Sequence, residues 1–119
     1  MTLRECYESF GGDYEGLVSR VMGEKIAEMF APKFLKDGSY AALVEAMEQE
    51  NYEGAFRAAH TLKGVCANLG IVNLQGVVSE LTEQLRGKEK PTDISLYERT
   101  KEEYQKVADA LGAYESTKA

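Results

Sequence analysis

The chain contains a single histidine, His60, followed three residues later by Lys63 and then by Gly64. An imidazole near neutral pH is largely unprotonated and nucleophilic, and a group attached to its nitrogen leaves readily, so one accessible histidine is enough to carry a transferable group. A lysine within reach would hold an anionic cargo such as a phosphoryl group, which bears close to two negative charges. Cleft chemistry needs more than this. A general base requires a pocket and further polar partners, and a lone histidine on a helix surface brings neither.

These residues fall in a segment whose periodicity predicts a helix from about Tyr52 to Leu69, with Asn51 as its N-terminal cap and Gly70 as its C-terminal stop. At about 100° per residue, Ala55, Ala58, Ala59, Leu62, Val65, Cys66 and Leu69 share one side and form the expected core stripe. His60 falls on the opposite side and should face solvent. Its surface neighbours are Phe56 one turn before, Lys63 and Gly64 one turn after, and Ala67 two turns after. Glycine inside a helix destabilises it by roughly 0.5–1 kcal/mol relative to alanine, so Gly64 calls for a reason. Either it permits close helix packing within the fold, or it clears space for a second protein to reach the imidazole. Its angle, away from the core stripe, favours the second.

The elements around this helix read as all-α. Only two prolines occur, Pro32 and Pro91, and apolar residues recur at spacings of three and four. Leu3 to Phe10 predicts a short helix ended by Gly11-Gly12, and Asp13 caps a second one bearing Leu17, Val18, Val21 and Met22. Ile26, Met29 and Phe30 follow, with a kink or break expected at Pro32. Ser39 is placed to cap a helix carrying Leu43, Val44 and Met47. After Gly70 comes an amphipathic helix with Leu74, Val77, Val78, Leu81 and Leu85. The stretch from Arg86 to Pro91 separates it from a last helix with Tyr97, Tyr104, Val107 and Leu111, and the tail from Glu115 to Ala119 is expected to fray. The sum is an antiparallel up-down four-helix bundle with additional short N-terminal helices, in one domain. A sustained coiled coil is the alternative, but the glycines and Pro32 break its register.

Composition bounds the partners. With 14 Lys and Arg against 20 Asp and Glu the formal charge is −6, which repels nucleic acid and anionic membranes. Cys6 and Cys66 have no CxxC spacing and no second histidine beside them, so neither a zinc signature nor a disulfide framework emerges, and a reducing cytoplasmic setting fits. No signal-length or membrane-length apolar run occurs. Met1 and the short polar tail lean toward a free protein over an excised domain.

The run His60-Thr61-Leu62-Lys63-Gly64, continuing through Val65-Cys66-Ala67-Asn68-Leu69 to Gly70, resembles the HxLKG...G signature of histidine-containing phosphotransfer (HPt) domains. Phe56-Arg57-Ala58-Ala59 and Asn73-Leu74 are similar to family sequence too, and the likeness extends over roughly residues 12 to 112. The resemblance implies a four-helix bundle in which His60 is the phospho-acceptor, Lys63 contacts the phosphoryl group and Gly64 gives a receiver domain access. A docking patch would then centre on Phe56, Gly64 and Ala67 with Arg57 and Lys63 toward its edge. The implied partners are response-regulator receiver domains, with a hybrid sensor kinase as a further candidate. The Mg²⁺ needed for transfer would come from the receiver, and the carrier itself, expected to be a monomer, would hold neither metal nor cofactor. Chemotaxis-kinase phosphotransfer domains, which resemble this family, typically place a glutamate 22 residues after the histidine, and many receiver-coupled domains place a glutamine there; this chain has Thr82. The missing glutamate favours a receiver aspartate over ATP as the phosphate source, and Thr82, which matches neither pattern, is expected among the partner-binding residues with Phe56, Arg57 and Ala67. No glycine-rich nucleotide motif is present, and the chain is too short for a kinase domain. Two other classes remain open at this level: an interaction module that never accepts phosphate, and an enzyme using His60 as general base.

Overall fold

The computed structural model describes residues 1–117, and among them the secondary structure is entirely helical. The α-helices are α1 (Leu3–Ser9), α2 (Tyr14–Val21), α3 (Glu24–Phe30), α4 (Ser39–Glu48), α5 (Tyr52–Leu69), α6 (Val72–Leu85) and α7 (Ser95–Thr117), with a 3-10 segment, Ala31–Lys36, between α3 and α4. Helices α4 to α7 make the four-helix bundle. Consecutive members pack side by side, and α7 closes on α4 through the rings of Tyr40 and Tyr104. The 3-10 segment and α1 pack against α7.

Local chemistry sets most of the boundaries. The Thr2 hydroxyl accepts from the Glu5 amide while the Glu5 carboxylate accepts from the Thr2 amide, which satisfies two amides at the start of α1. Asp13 and Asn51 accept from the amides of Gly16 and Gly54 and start α2 and α5. Beyond Phe30 the chain tightens into the 3-10 segment carrying Pro32, where the sequence predicts a break. At α4 the cap differs from expectation. Ser39 is the first helical residue, and the Asp37 carboxylate, two residues earlier, accepts from both its amide, at 3.0 Å, and its hydroxyl. The tail differs as well. Buried Leu111 and Tyr114 keep α7 helical through Thr117, so Glu115–Thr117 are not frayed, while residues 118–119 lie outside the described part.

The core is one cluster drawn from every helix. Leu3, Cys6, Tyr7 and Phe10 are buried with Leu17, Leu43, Leu62, Leu74, Leu81, Leu85 and Leu111, so α1 belongs to the packed unit although it precedes the span of the family likeness. Gly70 lies in the left-handed region at φ 69°, and a Cβ there would meet the Asp13 carbonyl oxygen at 2.7 Å, so only glycine fits this crossing. The N-terminal segments then clamp the end of α5. The Asp13 amide donates to the Gly70 carbonyl at 2.7 Å, the Tyr7 hydroxyl to Leu69 at 2.6 Å and the Arg20 Nε to Asn68 at 3.2 Å. Carbonyls that a helix end leaves without partners are thereby satisfied, and α5 is held as a fixed rod.

Candidate functional site

The inner face of α5 is Ala55, Ala58, Ala59, Leu62 and Cys66, all buried; Val65 and Leu69, at the edges of the stripe, are half-buried. The outer face is a row of Phe56, His60, Gly64 and Ala67. His60, Gly64 and Ala67 are exposed, and Phe56 is half-buried with its body against the core. The Phe56 and His60 rings stack, with centroids 6.3 Å apart and planes at 27°. This aromatic contact restricts the imidazole on one side and leaves the Gly64 side open. A Cβ built at Gly64 meets nothing within 4 Å, so close packing within the fold is not its reason.

The row has two flanks. Toward α6 lie half-buried Lys63 and exposed Glu83, whose carboxyl is held below its usual range first by hydrogen bonding to Arg86 and also by the Arg86 and Lys63 charges. Toward α4 lies Arg57, exposed and paired with Glu53 at 2.6 Å. Farther along α5, Val65, Asn68 and Leu69 border a shallow groove with Phe30, Lys33, Phe34 and Asp37, and Ile26, Met29 and Phe30 expose apolar surface from α3.

Thr82 does not join the site. It is fully buried, and its hydroxyl donates to the Val78 carbonyl at 2.7 Å. The reason is positional: Thr82 is four residues after Val78 and three before Leu85, on the face α6 turns to the core. The expected partner-binding role of Thr82 is therefore corrected, because its side chain has no surface for a docked protein to touch. Sequence reasoning instead missed Arg86, whose guanidinium carbon lies 5.3 Å from the Phe56 ring centroid. Phe56 and Arg86 are equidistant in sequence from Ile71 at the α5–α6 turn, so an antiparallel pairing of the two helices brings them level.

Both thiols are free and buried, with burial pushing Cys6 up to about 11 and Cys66 up to about 12. They behave as small core hydrophobes.

Fold and site together define a helical bundle that carries an exposed histidine, stacked on Phe56, on the outer face of α5. A family model described as the Hpt domain matches residues 38–110, and the chain belongs to the Hpt domain family. It is accordingly a histidine-phosphotransfer component of two-component phosphorelay signalling, a family whose members interact with receiver domains and kinases. Comparison with curated proteins and with solved structures returned no significant match. No helix among the described residues is long and apolar enough to cross a membrane.

Proposed function

We infer that His60 is the phospho-acceptor and that it relays phosphate between receiver aspartates. The observation carrying this is the outer row of α5, where the chain's one imidazole is exposed beside a glycine that no intramolecular packing requires. In the proposed step an imidazole nitrogen attacks the phosphorus of a receiver aspartyl phosphate in line. The P–N bond forms as the P–O bond to the receiver carboxylate breaks, and the ring's second nitrogen releases its proton to solvent. Lys63 offsets charge on the phosphoryl oxygens, and the receiver supplies Mg²⁺. The reverse sequence onto a second receiver discharges His60. The carrier itself acts as a cytoplasmic monomer without autokinase activity.

Docking would cover Phe56, Gly64 and Ala67, with Arg57 at the rim. Phe30, one of the exposed apolar residues of α3, lines the open groove at Val65 and Asn68, which suits a protein partner more than a small molecule. Incubation with a receiver labelled on its aspartyl phosphate tests the proposal. Acid-labile, base-stable label on this chain is expected; no label, or acid-stable label, would contradict it.

A further inference from the structure

Arg86 is left without a part in the step just described. It caps the C-terminal end of α6, and its guanidinium lies over the face of Phe56, the ring that also stacks on His60. It also grips Glu83 in bidentate fashion, Nε donating to Oε1 at 3.1 Å and Nη2 to Oε2 at 2.6 Å. Glu83 is thus an anion between two cations, Arg86 and Lys63, that border the imidazole row.

Such a grip is strong in geometry and weak in free energy. Both side chains are 59% exposed, and ion pairs in water contribute little because solvent screens them and two long side chains must be ordered. A phosphoryl group on His60 would bring nearly two negative charges and three acceptor oxygens to the same surface. That is a better counterion for a guanidinium fork than one carboxylate.

We propose, on the basis that His60 is the acceptor, that Arg86 is a phosphate-binding residue kept in reserve by Glu83: phosphorylation draws its guanidinium from Glu83 onto the phosphoryl oxygens, with the Phe56 face supporting it in both positions. Only hydrogen bonds change hands in this exchange. Arg86 then provides the contact from α6 that buried Thr82 does not make.

Exchange with N-phosphoimidazole isolates this effect from receiver docking. His60 attacks the phosphorus, the P–N bond to the small ring breaks, and the His60 ring proton passes to the released imidazole, so one P–N bond replaces another. The phosphorylated fraction at a fixed ratio of N-phosphoimidazole to imidazole, read by ³¹P NMR, gives the exchange constant. Arg86→Ala should lower it roughly three- to tenfold, Arg86→Lys should recover part of the loss, and Glu83→Gln should raise it about twofold. The Arg86→Ala/Glu83→Gln double variant should match Arg86→Ala. In the wild-type chain the Arg86 Nε–H resonance should move on phosphorylation. Equal constants in wild type, Arg86→Ala and Glu83→Gln, or an unmoved resonance, would overturn the exchange. Equal labelling of a His60→Gln variant would overturn the acceptor assignment instead.

Discussion

The two faces of α5 are built from similar small residues and put them to opposite use. On the inner face Ala55, Ala58 and Ala59 are buried against neighbouring helices, and small side chains there let backbones approach. On the outer face Gly64 and Ala67 have solvent opposite them. Smallness inside serves packing, whereas smallness outside leaves room for something the fold does not contain. The inner face should therefore govern stability and the outer face transfer, with little exchange between the two.

The largest expected effect is on the inner face. Leu62→Ala should cost about 2–5 kcal/mol in urea unfolding, because the close-packed core refills the lost volume only in part. Labelling per folded molecule should stay unchanged. A loss below about 0.5 kcal/mol would break the division between faces. The same face gives a pH signature. Folded Cys66 holds its thiol proton to about 12 whereas an unperturbed thiol releases it near 9.0. Folded and unfolded chains therefore match below pH 9.0, and above it the unfolded chain sheds a proton the folded chain keeps, so stability should decline as pH rises through this window. Cys66→Ala should make that alkaline decline shallower, with buried Cys6 and Tyr7, whose pKa values burial also raises, keeping the remainder, as measured by unfolding at a series of pH values.

Glycines separate the faces more finely. Gly76 in α6 resembles Gly64 in that a Cβ added there would meet nothing within 4 Å, so openness alone does not mark a site. Alanine at either position should stabilise the helix by about 0.5–1 kcal/mol. A bulky residue at Gly64 should slow transfer from a receiver, and the same residue at Gly76 should not; equal rates would remove the steric role of Gly64. The smallest effect should be at Thr82. Thr82→Val keeps the shape and removes one hydroxyl, so transfer should be unchanged and stability altered by no more than about 1.5 kcal/mol. Slowed transfer in a folded variant would restore Thr82 to the site.

Much of this is legible in the chain because the signals are local. Asn51 and Gly70 bound α5 by capping and left-handed geometry, and the position of His60 opposite the stripe follows from helical period alone. Where two capping side chains stand close together, as Asp37 and Ser39 do, spacing does not choose between them. The order of the tail is hidden because Tyr114 anchors it through tertiary packing, which a polar composition conceals. Thr82 enters the candidate site only through a family position, although its spacing from Val78 and Leu85 already puts it inside. Arg86 looks in sequence like the start of a connector, since its nearness to Phe56 depends on how α5 and α6 align across the Gly70–Ile71 turn. Residues that act through a neighbouring helix are the ones a single helical period does not reveal.

The central claim is that His60 alone carries the phosphoryl group. A His60→Gln variant, confirmed folded by an unchanged unfolding curve, should take up no acid-labile label from a phosphorylated receiver that fully labels the wild-type chain. Retention of that label would contradict the account.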